Sequence, residues 1–149
     1  RARAIGLVHS GRKGTEARVV TACLDEMGKA FGTSPSDCAC AISPSIGPCC
    51  YPVDLWSSLE EELRAAGIAR VENPRACTSC RPALFFSYRK ERERSGRMVG
   101  AMMIMPADDA RPGLTHRAGQ NGVAATLLPV PDPSLIRLTS PAAVCYTLR

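Results

Sequence analysis

Two stretches of this chain carry most of the residues able to do chemistry. The first is His9-Ser-Gly-Arg-Lys-Gly-Thr15, which follows the short apolar run Ala4–Val8. That run reads as a buried strand ending at His9, with Gly11 and Gly14 marking a tight turn before a helix. Glycines between a strand and a helix let backbone N–H groups approach a ligand, and the N-terminus of the helix favours an anion. Arg12 and Lys13 add positive charge, so the turn suits a phosphate or carboxylate. It is not a P-loop. Gly6 and Gly11 have the required separation, but Arg12 stands where lysine belongs and Lys13 where Ser or Thr belongs. At the carboxyl end of a buried strand, His9 is placed to ligate a metal or act as a general base. From spacing alone, a histidine hydrogen-bonded to its own turn is the simpler account.

The second stretch is the cysteine set Cys38, Cys40, Cys49, Cys50, Cys77 and Cys80. Cys77-Thr-Ser-Cys80 has the separation of half a zinc knuckle, and a second pair would complete four ligands. Cys49 and Cys50 are the obvious second pair, yet adjacent residues rarely both reach one tetrahedral ion. Cys38 and Cys40 share one face of a strand and do not converge on a knuckle. The sequence thus keeps a structural zinc module on Cys77 and Cys80 as an alternative to small, buried core cysteines.

The elements that must position these groups follow from periodicity. Val20, Cys23, Leu24, Met27 and Phe31 recur at spacings of three and four, predicting a helix over about Thr15–Ala30 with one buried face and Gly32 as its cap. Cys38–Ile42 predicts a strand, and Ser43–Pro52 predicts turn and extended backbone. Asp54 is a good N-cap for a second helix, with Leu55, Leu59, Leu63 and Ala66 buried, Glu60–Glu62 solvated and Gly67 as the stop. Ile68–Glu72, Phe85–Tyr88 and Met98–Met105 predict further strands, the last apolar enough for a sheet interior. In Phe85-Phe-Ser-Tyr-Arg-Lys90, strand geometry would put Phe86 and Tyr88 on one face. Strands alternating with helices indicate a mixed α/β, layered α+β sandwich.

The expected organisation is a domain over 1–105 and a proline-rich, poorly ordered tail over 106–149, in which Leu127, Leu128, Val130 and Leu135–Leu138 are candidates for edge strands. A chain of 149 residues can bury a real core, and no apolar run approaches the ~20 residues needed to span a bilayer. The chain opens on Arg1, not Met, so we expect further sequence upstream. The net charge of +5 is modest. Its densest part, Arg89–Arg97, is interleaved with Glu91 and Glu93 and reads as a solvated turn, not a nucleic-acid groove. Eight cysteines without a secretion signal point to free thiols or metal ligands in a reducing cytoplasm.

Taken in order, the motifs are His9-Ser-Gly-Arg-Lys-Gly-Thr15, Ile42-Ser-Pro-Ser-Ile-Gly-Pro-Cys-Cys-Tyr51, Asp54-Leu-Trp56, Cys77-Thr-Ser-Cys80, Phe85-Phe-Ser-Tyr-Arg89 and Gly96-Arg-Met98. Over about residues 4–105 this series resembles the C-terminal half of the laccase-domain (YfiH-type) family. That family was first described as multicopper polyphenol oxidoreductases and is now regarded as zinc-dependent purine nucleoside phosphorylases, with adenosine deaminase and methylthioadenosine phosphorylase activity. The resemblance implies that His9 is one of three ligands of a catalytic metal, zinc or copper, beside a second histidine and a cysteine. Those two partners would lie upstream, in a half that this chain lacks. The other histidine here, His116, falls in the unmatched tail.

The departures from the family pattern have consequences. Arg12 replaces a tryptophan and Lys13 an arginine, while Ser43 stands where a glycine is expected. Tyr51 is followed almost at once by Asp54-Leu-Trp56, where the family has a few dozen further residues. The resemblance implies a purine nucleoside and phosphate as substrates, with Gly11, Arg12, Lys13 and Gly14 as anion-binding candidates. It also implies that the chain alone holds metal weakly and is inactive. A non-catalytic remnant, or a subunit completing a separate N-terminal half, is the competing expectation.

Overall fold

The computed structural model describes residues 3–102, 104, 126–129 and 142–147. The elements run β1 (Ile5–His9), α1 (Arg12–Glu16), α2 (Val19–Phe31), β2 (Cys38–Ile42), α3 (Leu55–Ala65), β3 (Arg70–Glu72), α4 (Tyr88–Glu91), β4 (Met98–Ala101), β5 (Thr126–Pro129) and β6 (Ala142–Thr147). One mixed sheet has the order β1-β6-β2-β3, and β4 pairs with β5 in a separate antiparallel ribbon. The fold is mixed α/β. Helix α3 carries the chain from β2 to the parallel strand β3, as parallel neighbours require a crossover. Among the described residues no helix is long and apolar enough to cross a membrane.

The core forms where α2 and α3 meet each other and the sheet. Val20, Leu24 and Met27 supply the face of α2, and Leu59 and Leu63 that of α3, against Cys38, Cys40, Ile42 and Ile68. Each of the Val, Leu, Ile and Met side chains contributes roughly 1.5–3 kcal/mol by leaving water. Gly6 lets α2 lie directly on β1, since a Cβ there would stand 2.6 Å from Cys23 Sγ and Met27 Sδ. Cys40 is disulfide-bonded, where a free thiol was expected.

Several local expectations change. The single helix over Thr15–Ala30 is two helices, α1 starting earlier at Arg12 and α2 starting at Val19, with the break at Arg18, which takes a left-handed conformation at φ 53°. Gly14 is not a turn residue but lies inside α1, where a Cβ would crowd Val19 Cγ1 at 3.2 Å and the His9 carbonyl at 3.4 Å. Phe31, at the end of α2, is half exposed, while Gly32 caps the helix in the left-handed region at φ 66°. Phe85–Tyr88 is not a strand. The Leu84 and Phe85 N–H groups donate to the Arg81 carbonyl, and the Glu91 carboxylate accepts from the Ser87 N–H, so the segment winds into turns before α4. β4 is shorter than Met98–Met105 and lies in the two-stranded ribbon, only partly buried. Within 106–149, β5 includes Leu127 and Leu128, and β6 sits in the main sheet between β1 and β2. The rest of that stretch, His116 included, is outside the described residues.

The largest correction concerns Glu60–Glu62. Only Glu61 is exposed, while Glu60 and Glu62 are buried. Helix α2 has no side-chain cap of its own, and Glu62 Oε1 accepts from Thr21 N at 2.9 Å and Thr21 Oγ1 at 2.8 Å. A carboxylate from α3 thus satisfies an orphan donor in the first turn of α2 and sits at the favourable end of its dipole. Glu62→Ala is expected to destabilise the fold by about 1–3 kcal/mol in urea denaturation. Glu61→Ala should stay within about 0.5 kcal/mol of the parent. Equal effects would mean that Glu62 is not a cap.

Candidate metal centre and the turn after the first strand

The loop leaving β2 is built around Ser45, which is fully buried. Its N–H donates to the Ala76 carbonyl at 3.2 Å and its carbonyl accepts from Thr78 N–H at 3.0 Å, so residues 45 and 77 pair as an isolated bridge. The Trp56 indole N–H donates to Ser45 Oγ at 2.7 Å. Gly47 packs under the Trp56 ring so closely that a Cβ would overlap it. The Cys50 N–H then closes a turn onto the Gly47 carbonyl at 3.0 Å. On the opposite loop, Glu60 accepts from Asn73 at 2.7 Å and from Arg75 at 2.8 and 3.2 Å. Arg75 adopts φ 46°, and its N–H is held by Asn73 Oδ1.

These two zippered loops bring Cys49, Cys50, Cys77 and Cys80 together, their sulfurs all within 4.8 Å of one another. Cys80 Sγ is 3.4 Å from both Cys49 Sγ and Cys50 Sγ. All four are free thiols. Two expectations fall here. Cys49 and Cys80 are exposed and are not core residues, whereas Cys38 and Cys40 are. The adjacent pair does reach a common point, because the Gly47–Cys50 turn curls around Cys80. Burial pushes the Cys77 thiol up, but the Gly47 and Cys80 N–H groups and the neighbouring thiols aimed at its sulfur outweigh this and bring it to about 6. Hydrogen bonds to Cys49, Cys50 and Cys77 keep the proton on Cys80, pushed up to about 12. Such a group can hold a metal ion.

The turn after β1 is a separate place. His9 is largely exposed, its pKa lowered by partial desolvation, which favours the neutral imidazole that a metal needs. Among the described residues, no cluster of three or more His, Cys, Asp or Glu donors includes His9. The residues described here do not complete a three-ligand site around it. Gly11 is the N-cap of α1, and Ser10 Oγ and Thr15 Oγ1 lie 3.0 Å apart beneath the turn. Arg12 pairs with Glu16 at 2.8 Å, and Lys13 is exposed with no carboxylate partner among the described residues. Glu16 raises the Arg12 pKa, with a smaller contribution from Tyr51. Tyr51 follows Cys50 and takes the Arg89 guanidinium over its ring at 5.1 Å. Sequence reasoning missed Ser45, Tyr51, Trp56, Glu60 and Arg75. The four-residue spacing of Trp56 and Glu60 on a capped helix was the available signal.

The family described as multi-copper polyphenol oxidoreductase laccase matches residues 1–54 and 51–105. The two segments overlap over residues 51–54, where only Pro52 and Val53 separate Tyr51 from Asp54. A purine nucleoside phosphorylase, YlmD, of Geobacillus stearothermophilus is 31% identical over 127 residues, covering 64% of this chain and 46% of that protein. A purine nucleoside phosphorylase of Bacteroides thetaiotaomicron is 30% identical over 133 residues, 68% of this chain and 49% of that protein. Purine nucleoside phosphorylase LACC1 of Homo sapiens is 25% identical over 134 residues, 68% of this chain and 31% of that protein. The chain spans about half the length, or less, of these curated relatives. No solved structure matches it significantly.

Two outcomes test the scaffold. Trp56 is the only tryptophan, so its emission reports the loop directly. Gly47→Ala should shift that emission to the red and lower the unfolding midpoint; unchanged emission and midpoint would contradict the packing. Arg75 and Asn73 hold the Glu60 carboxyl below its ordinary pKa, Arg75 first. A depressed carboxyl contributes stability above its unfolded pKa and loses it as pH falls through the folded value. Glu60→Gln should therefore be less stable than the parent at pH 7, with the gap closing below about pH 4. A gap independent of pH would rule out the ion pair as its cause.

Proposed function

The chain belongs to the multi-copper polyphenol oxidoreductase laccase family, and on that premise we propose that it takes part in phosphate-dependent cleavage of purine nucleosides, the activity for which its relatives are named. Adenosine, inosine and methylthioadenosine are the substrates of this reading, with deamination of adenosine as a second activity. In phosphorolysis a phosphate oxygen bonds to the ribose anomeric carbon as the bond to the purine nitrogen breaks. The electron pair leaves with the base, which then takes a proton.

The observation that carries the reading is the turn itself: His9 at the carboxyl end of β1, followed by Gly11 as the N-cap of α1 and Arg12, Lys13 and Gly14 in its first turn. The first N–H groups of a helix have no partner inside it. Together with Lys13, which has no carboxylate partner among the described residues, and with Arg12 once it leaves Glu16, they form the anion-binding side of the proposed site. His9 is the proposed metal ligand. A catalytic ion, zinc or copper, would polarise a bound oxygen, and it needs ligands beyond one imidazole. The reading therefore calls for a second histidine and a cysteine from a segment or partner polypeptide corresponding to the relatives' additional length.

The test is phosphate-dependent release of free base from adenosine and inosine. The chain alone should give no release above background. Supplied with a matching N-terminal half, it should become active, and His9→Ala should then lower kcat/KM by at least about 100-fold. Release that needs no phosphate, or that ignores His9→Ala, would overturn the assignment. A reconstituted protein that stays inert would favour a non-catalytic subunit.

A further inference from the structure

We propose that Cys49, Cys50, Cys77 and Cys80 hold one zinc ion as four thiolate ligands, and that this ion clamps the 45–50 loop to the 76–80 loop at a site distinct from the turn at His9.

The sulfur geometry is the first argument. Zinc binds thiolate at about 2.3 Å in a tetrahedron, which puts the sulfurs about 3.8 Å apart. The observed sulfurs lie from 3.4 Å to within 4.8 Å of one another, on both sides of that edge length. A disulfide needs about 2.05 Å, whereas Cys80 Sγ stands 3.4 Å from both Cys49 Sγ and Cys50 Sγ and all four cysteines are free. The donor set is the second argument. Four soft sulfur ligands with no carboxylate or imidazole among them match a closed structural zinc site and leave no position open for substrate.

The surroundings are the third argument. Gly47 N–H points at Cys77 Sγ at 3.3 Å, the kind of outer-shell donor that fixes a ligand sulfur. Four thiolates around a divalent cation leave negative charge. Arg81 follows Cys80 directly, and Arg89 lies over the ring of Tyr51, the residue after Cys50. Both loops are already fixed by backbone and α3 contacts that do not involve the sulfurs, so the ligands are gathered before the ion arrives. The sequence had kept only a half-site at Cys77 and Cys80, and had expected weak metal binding through His9 alone.

The full chain, purified under reducing conditions, loaded with zinc sulfate and dialysed, should retain about one zinc per molecule by elemental analysis. Cobalt in its place should give the intense visible bands of a tetrahedral thiolate site. His9→Ala and Cys23→Ser should leave this zinc in place, whereas Cys80→Ser and Cys50→Ser should weaken its binding at least about tenfold. Because Cys80 is exposed, the Cys80→Ser fold can be checked by circular dichroism. A measurement on the unaltered protein guards against a misfolded variant. Bound zinc should slow alkylation of Cys49, Cys50, Cys77 and Cys80, mapped by peptide mass spectrometry, and a chelator should remove that protection while Cys23 is unaffected. No retained zinc, zinc lost in His9→Ala, retention unchanged in Cys80→Ser, or alkylation of the four cysteines indifferent to zinc would each overturn the proposal. Failure of phosphorolysis would not touch it, since the two sites share no residue.

Discussion

Trp56 and Glu60 lie four residues apart on α3, so the indole and the carboxylate stand on the same side of the helix, one turn apart. The first grips Ser45 at 2.7 Å and the second grips Arg75 at 2.8 Å. One loop ends in Cys49 and Cys50 and the other in Cys77 and Cys80, so a single helical repeat sets the separation of both cysteine pairs. The interaction at Trp56 is the more demanding. Its indole N–H and the Ser45 hydroxyl are both buried, and either one left alone would bear the cost of an unmade hydrogen bond, about 1–3 kcal/mol.

The same helix ties the remaining parts together. Asp54 opens it, accepting from the Trp56 and Ser57 N–H groups at 3.1 Å. Leu59 and Leu63 face the core, while Glu62 caps α2. Only Pro52 and Val53 separate Tyr51 from this cap. In so short a connection the orientation of α3 and that of the cysteine loop cannot vary independently. Tyr51 lies at this junction. It influences Arg12 in the turn after β1 and stacks with Arg89, so the two candidate sites are neighbours through one ring although they share no ligand.

Strand β2, the N-cap Asp54 and the left-handed Gly32 were legible in the sequence because each depends on a few adjacent residues: an apolar run, a capping side chain, a glycine where φ turns positive. The unread features depend on partners far along the chain. Glu60 and Glu62 look like a solvated acidic face until Arg75 and Thr21 are brought to them. Cys49 and Cys50 look too close together to share an ion until the turn at Gly47 and the pairing of Ser45 with Cys77 are known. Phe85–Tyr88 has strand-like composition, but the Glu91 carboxylate and the Arg81 carbonyl organise it into turns. At His9 the motif was visible and the resemblance specific, yet neither periodicity nor spacing could supply further ligands.

The place of β6 in the sheet orders events during synthesis. β1 and β2 are made before β6 but do not pair with each other, since β6 lies between them and β2 has β3 on its other side. Until Ala142–Thr147 leaves the ribosome, two strands face a gap one strand wide, with their N–H and C=O groups unpaired. Helices α2 and α3 can collapse onto a half-made layer meanwhile, but the sheet closes only when β6 reaches β1 and Tyr146 pairs with Ile5, a non-local pairing that slows folding. During that interval the bare edges are templates for any extended segment of a neighbouring nascent chain.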